Sequence, residues 1–266
     1  MQRPVFTEID DGVAVIRINR PEVLNALNPA AVAEIGNALT QAVSDGARCI
    51  VLTGEGRAFC SGADLSGGDD GNPAVTNRAD SVLQKSYHPL LRLLRDLPVP
   101  LITAVNGPAV GAGMSIALMG DIITAARGAY FLQAFARIGL VPDCGSSWLL
   151  PRLVGQARAR ELSLLADKLP ADTALEWGLI NRVFPPETLM DETLAIARRL
   201  ADGPVNGLAG IRKLYWESDA NSFEEQLNLE DEIQFGASLG PEFAEGVAAF
   251  AEKRPADFRA IAARGR

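Results

Sequence analysis

Apolar positions along this chain fall into two periods. Short runs rich in β-branched residues, GVAVIRIN at 12–19, RCIVLTG at 48–54, VPLITAV at 99–105 and DIITAAR at 121–127, predict strands. Between them, PAAVAEIGNALTQAVS at 29–44 repeats at helical spacing with Pro29 at its start. SVLQKSYHPLLRLLRDL at 81–97 predicts a helix perturbed at Pro89, and MSIALMG at 114–120 a helix of small residues. This alternation predicts an α/β fold. From about Gly203 onward only helical patterns remain: LAGIRKLYWES, SFEEQLNLEDEIQFGASL and, after a Gly240-Pro241 break, EFAEGVAAFAEKR. Leu229, Ile233 and Ala237 share one face there, as do Phe243, Val247 and Phe250, which predicts core or a surface shared with another subunit. The chain thus divides into a core at 1–202 and a helical region at 203–266.

Composition narrows the class. With 266 residues and nearly half of them apolar, the chain can bury a substantial globular core. A net charge of −8 argues against binding nucleic acid, yet leaves room for a small anion held by a few local cations or a helix N-terminus. Cys49, Cys60 and Cys144 form no metal-spaced pair and predict reduced thiols in a cytoplasmic protein. The opening MQRPVFTEIDDG lacks an apolar signal core. The uncharged run at 97–120 predicts no membrane span, because Pro98, Pro100, Asn106-Gly107-Pro108, Gly111 and Gly113 interrupt it.

Three loops carry candidate chemistry. Ser61-Gly62-Ala63-Asp64 follows one strand, and Gly111-Ala112-Gly113 follows another and opens a helix. Small residues let a ligand approach the backbone, and the first N–H groups of a helix have no intrahelical acceptor. Two such N–H groups converging on one point make an oxyanion hole, whereas the plain alternative is a pair of tight turns. The third loop is IGLVPDCGSSWLL at 138–150, where a lone Asp143 interrupts an apolar stretch. It reads either as the cap of a helix beginning near Gly145 or as a carboxyl group placed in a dry pocket.

FCSGADL, AVNGPAVGAGMSIALMGDIITAA, the opening INRPEVLNAL and the closing EGVAAFAEKRPADF resemble the enoyl-CoA hydratase/isomerase (crotonase) superfamily, essentially from end to end. The resemblance implies a spiral of repeated ββα turns and a C-terminal helical region that packs trimers, or hexamers of two trimers. It implies an acyl-CoA thioester whose carbonyl oxygen accepts from the N–H groups of Ala63 and Ala112. Val23, Leu24, Ala63, Asp64 and Leu65 would flank the CoA moiety, with Lys253 reaching its phosphates from a neighbouring subunit. CoA is then part of the substrate, and no cofactor or metal is implied.

The two glutamates of the family's hydratases fall here on Ser115 and Phe135, neither of which can do a carboxylate's work near neutral pH. Hydration of a 2-enoyl-CoA is therefore not expected. The family's third catalytic position falls on Asp143. FARIGLVPDCGSSWLLPRLVG, EWGLIN and QLNLEDE resemble in particular the isomerases of ring-epoxidised phenylacetyl-CoA, which rely on an aspartate at this turn. Those relatives carry a bulkier polar residue at the position of Ala63, so the pocket differs there. Val141, Trp148 and Phe135 are expected to dry Asp143 and raise its basicity. That suits a shuttle that removes a proton beside the thioester and returns it elsewhere. The other readings are a 3-enoyl-CoA or dienoyl-CoA isomerase, a non-catalytic CoA-ester binder and, least favoured, a hydrolase using Ser115.

Other residues have plainer readings. His88, the single histidine, is expected on a helix without a special role or lining the acyl pocket. Asp121 is expected to be hydrogen-bonded at a helix-to-strand junction, Asp64 to shape its loop, and Cys144 to fill space. Lys253-Arg254 is expected to pair with a helix dipole. The segment 66–80 reads as an acidic, glycine-rich loop, a lid or a solvated stretch.

Overall fold

The computed structural model describes residues 3–65 and 81–264. A six-stranded sheet forms the centre, in the order β1 (Val5–Asp10), β2 (Val13–Ile18), β3 (Cys49–Gly54), β4 (Leu101–Val105), β6 (Ile122–Ala126) and β9 (Arg182–Phe184). β1 runs antiparallel to β2, and every other pair is parallel. A smaller sheet joins β5 (Ala109–Val110), β7 (Tyr130–Leu132) and β8 (Leu169–Pro170). Successive turns of the chain lay one strand in the large sheet and the next in the small one, as β4 then β5 and β6 then β7, which is the spiral of ββα turns that the resemblance implied.

Helices cover both faces of the large sheet. α1 (Pro29–Ser44) buries Val32, Ile35 and Leu39 against Ala14, Ile16 and Ile18. α6 (Leu189–Ala201) places Ala197 and Ala201 against Val13, Val15 and Val51. Central strands buried on both faces need near-continuous apolar runs, and β3, CIVLTG, is buried throughout. β1 was not predicted: VFTEID is an edge strand with most of its side chains exposed. Asn28 caps α1 by accepting from Ala31 N, and Pro29 takes the first helical position, so the predicted bounds hold.

The predicted helix at 81–97 is perturbed one turn earlier than Pro89. Residues Leu83–Tyr87 form a widened turn in which His88 N donates to Leu83 O, and α2 (His88–Arg95) follows. Pro89 has no N–H to continue a regular ladder, and the wide turn precedes it. The small-residue helix, α3 (Ala112–Ala117), starts two residues before the predicted 114. After β9 all elements are helices: α6, α7 (Val205–Ser218), α8 (Phe223–Ser238), α9 (Pro241–Glu252) and α10 (Phe258–Arg264). The apolar stripe of α9 is not core in the single chain, since Phe243, Val247 and Phe250 are exposed. With residues of α7 and α8 they line a groove of about 760 Å³.

Candidate active site

Two short bridges bring the candidate loops together. Leu27 pairs in parallel with Ala63, and Cys60 pairs in parallel with Ala109. Asn25 makes the first approach possible. It is fully buried in the left-handed region (φ 59°), which Asn tolerates, and its Nδ2 donates to Glu55 O (2.9 Å) and Ala58 O (2.7 Å). Ser61 then donates from N to Leu24 O (3.0 Å) and from Oγ to Val23 O (3.2 Å). Val23 and Leu24 therefore hold the start of the Ser61–Asp64 loop. Asp64 ends that loop, paired with Arg20 at 2.9 Å in its loop-shaping role.

The second approach leaves no spare volume. A Cβ on Gly113 would stand 2.3 Å from Cys60 O. A Cβ on Gly62, whose φ is +101°, would stand 3.0 Å from Val110 O and 3.8 Å from Ala112 N. Leu27 bonds to the residues flanking Ala63, through Leu27 N to Gly62 O (2.8 Å) and Asp64 N to Leu27 O (2.9 Å). In a parallel bridge this turns the N–H of Ala63 itself to the other side. Ala112 is the first residue of α3, so its N–H lacks an intrahelical acceptor. Among the described residues neither N–H donates to an acceptor. Two main-chain donors in adjoining loops are thus left without an acceptor among the described residues.

Asp143 sits on the turn between the 3-10 turn Ala134–Ile138 and α4 (Ser146–Leu165). It does not cap α4 with its side chain. Gly145 is the cap residue, at φ 79°, and no side chain bonds there. The Asp143 carbonyl does that work instead, accepting from Ser146 N (3.0 Å) and Ser146 Oγ (2.9 Å), with Ser115 Oγ at 3.2 Å. Its carboxyl group takes no part in the cap, and Oδ1 is buried with no hydrogen-bond partner among the described residues. Burial pushes the Asp143 pKa up, against the opposing pull of the Cys144 thiol and of the charge of His88.

The surroundings of Asp143 differ in part from those expected. Val141 is 77 % exposed and dries nothing, because the turn projects it outward. Trp148 stacks on Trp216 at 5.5 Å and carries Arg152 4.0 Å above its ring. Phe135 is buried, and its ring lies 3.8 Å from where a Cβ on Gly111 would be. His88, read above as without a special role or lining the acyl pocket, is the first residue of α2, and its charge is felt at Asp143. Tyr87, the residue before it, is buried beside the same cluster and was not singled out by any local pattern. Cys144 is buried, and burial raises its thiol pKa strongly, so it is unreactive filler.

Other residues stand apart. Asp121 Oδ2 accepts from Leu101 N (2.7 Å) and Arg212 Nε (2.6 Å), a structural clamp. Arg254 pairs with Glu245 and Glu252 rather than with a helix dipole. Lys253 is exposed at the end of α9, with no hydrogen bond or ion pair to the loop cluster among the described residues. The segment 66–80 lies outside the described residues. Among the described residues no helix is long and apolar enough to cross a membrane.

Comparison with known proteins places the whole chain. The profile of the enoyl-CoA hydratase/isomerase family matches residues 8–260. A 1,2-epoxyphenylacetyl-CoA isomerase of Escherichia coli is 43 % identical over 97 % of this chain and 99 % of its own. A Rhodobacter capsulatus protein named as an enoyl-CoA hydratase is 45 % identical over 94 % of this chain and 96 % of its own. The crystal structure of an enoyl-CoA hydratase from Polaromonas superposes with a TM-score of 0.87 at 32 % identity, covering 95 % of this chain and 98 % of the other. Matches of this length and depth show that the chain belongs to the enoyl-CoA hydratase/isomerase family, enzymes acting on CoA thioesters.

Proposed function

We propose that this protein is an acyl-CoA isomerase in which Asp143 is the sole acid/base and the N–H groups of Ala63 and Ala112 form the oxyanion hole. The buried, unpartnered Oδ1 of Asp143 carries the reading. Burial makes this carboxylate more basic than an exposed one, which suits it to take a proton from the carbon beside a thioester. As that proton leaves, negative charge moves to the thioester oxygen, where the two N–H groups stabilise it. The carboxyl group then returns the proton to another carbon, so nothing is added or lost. Ser115 and Phe135 supply no second carboxylate, which favours this shuttle over addition of water.

The preferred substrate is the 1,2-epoxide of phenylacetyl-CoA, rearranged to the seven-membered oxepin ester. Support comes from the extent of the likeness to the isomerase of that ring epoxide. Conversion of 3-enoyl-CoA to 2-enoyl-CoA passes through the same enolate and is a shared activity. The CoA moiety lies along Val23, Leu24 and Ala63–Leu65, Lys253 reaches its phosphates, and no cofactor takes part. The exposed apolar face of α9 is covered in a trimer or a dimer of trimers.

The test is incubation of wild type and Asp143→Asn with a 3-enoyl-CoA, separating 3-enoyl, 2-enoyl and 3-hydroxyacyl products. Conversion to the 2-enoyl ester by wild type alone is expected, with CoA-ester binding intact in the variant. A fully active variant, or appreciable hydroxyacyl product, overturns the proposal.

A further inference from the structure

The side chain that fixes one of the two N–H donors lies outside the loops that carry them. Tyr87 closes the widened turn Leu83–Tyr87, is 2 % exposed, and donates from its hydroxyl to Leu27 O at 3.1 Å. That carbonyl is also the acceptor of Asp64 N. It is half of the bridge whose two bonds flank Ala63 and turn the Ala63 N–H outward. Ala63 is itself exposed and packs little of its own surface, so its direction depends on what holds Leu27. Leu27 N is fixed by Gly62 O, and Leu27 O is shared by Asp64 N and Tyr87.

We propose that Tyr87 is a positioning residue for the reaction: its hydroxyl anchors the Leu27–Ala63 bridge and thereby aims the Ala63 N–H at the thioester oxygen. The inference rests on the oxyanion-hole reading above, not on the role of Asp143. Three features suit Tyr87 to the task. Burial keeps the phenol protonated, so it remains a donor. Its ring packs in the main core, so the hydroxyl is held by the body of the protein rather than by the loop it steadies. His88, the next residue, opens α2, whose Leu90 and Leu94 are buried in the same core, so the turn that carries Tyr87 is anchored on its C-terminal side as well.

Tyr87→Phe removes the hydroxyl and keeps the ring. Two readouts decide. The first is the infrared carbonyl band of bound phenylacetyl-CoA carrying an isotope label at the thioester carbon, which moves to lower frequency when N–H groups polarise the bond. Wild type and Asp143→Asn are expected to show the full displacement, and Tyr87→Phe a smaller one. The second is turnover of a 3-enoyl-CoA: kcat is expected to fall about tenfold, less than the loss from deleting a whole donor, with KM nearly unchanged. The pH limb due to Asp143 stays in place. A Tyr87→Phe enzyme with the wild-type carbonyl band, or with unchanged kcat, overturns the role of Tyr87 and leaves the oxyanion hole standing. A wild type with no carbonyl displacement overturns both together.

Discussion

Asp143→Ala should make the protein more stable while removing its activity. Oδ1 of Asp143 is buried without a partner, and leaving a buried polar group unsatisfied costs about 1–3 kcal/mol. Two interactions offset part of this cost, the hydrogen bond from the Cys144 thiol and the charge of His88. Alanine removes the cost and both offsets, for a net gain of about 1 kcal/mol near neutral pH. The sign of the pH dependence follows from burial. Because the folded pKa is raised above its ordinary value of 3.8, the folded chain holds this proton to higher pH than the unfolded chain does. Wild-type stability therefore falls as pH rises from 3.8 to the raised folded value. The variant lacks that fall, so the gap between the two opens across this window and stays open above it. Urea unfolding at acid and neutral pH, followed by tryptophan fluorescence, measures it. A variant less stable than wild type at neutral pH, or a gap that closes as pH rises, would refute the reasoning.

Two further predictions concern the supports of the site. Arg212 is buried, and besides its bond to Asp121 it donates to the carbonyls of Leu94 and Leu97 at the end of α2. Arg212→Met should cost about 3–5 kcal/mol in denaturant unfolding, and adding Asp121→Asn should recover part of it; a loss below about 1 kcal/mol contradicts the clamp. His88→Gln removes a charge that lowers the pKa of Asp143, so the acid limb of kcat/KM should move to higher pH, and a downward move in the pH–rate profile would count against the contact.

Elements with local determinants were legible in the sequence. α1 has Asn28 and Pro29 at its start, and α8 has a capping box of Ser222 and Glu225, so each announces its own boundary. β5 and β8, of two residues each, have no periodicity to read and exist through partners far along the chain. The candidate site divides in the same way. Gly62 and Gly113 mark close backbone approach and Gly111 a positive φ of 52°, and their loops were found. Tyr87 and His88 enter the site through a widened turn, 60 residues from Leu27 in the case of the Tyr87 hydroxyl bond, and no local spacing encodes such a contact. Asp143 was legible as an exception to an apolar stretch, but Val141 was misjudged, because an apolar neighbour in sequence says nothing of which side of a turn it faces. The stripe on α9 was seen as apolar, and its exposure in the single chain removes the core reading of the two left open for it.

The free donors at Ala63 and Ala112 are main-chain atoms. Selection can exchange the side chains at 115, 135 and 143 one by one, yet almost no point mutation deletes a peptide N–H. Proline is the one replacement that does so directly. A fold whose anion-binding element is written in its backbone can therefore lose one acid–base chemistry and acquire another without passing through a form unable to hold the thioester. If the two donors hold the thioester oxygen as proposed, the side chains around them are the part left free to drift.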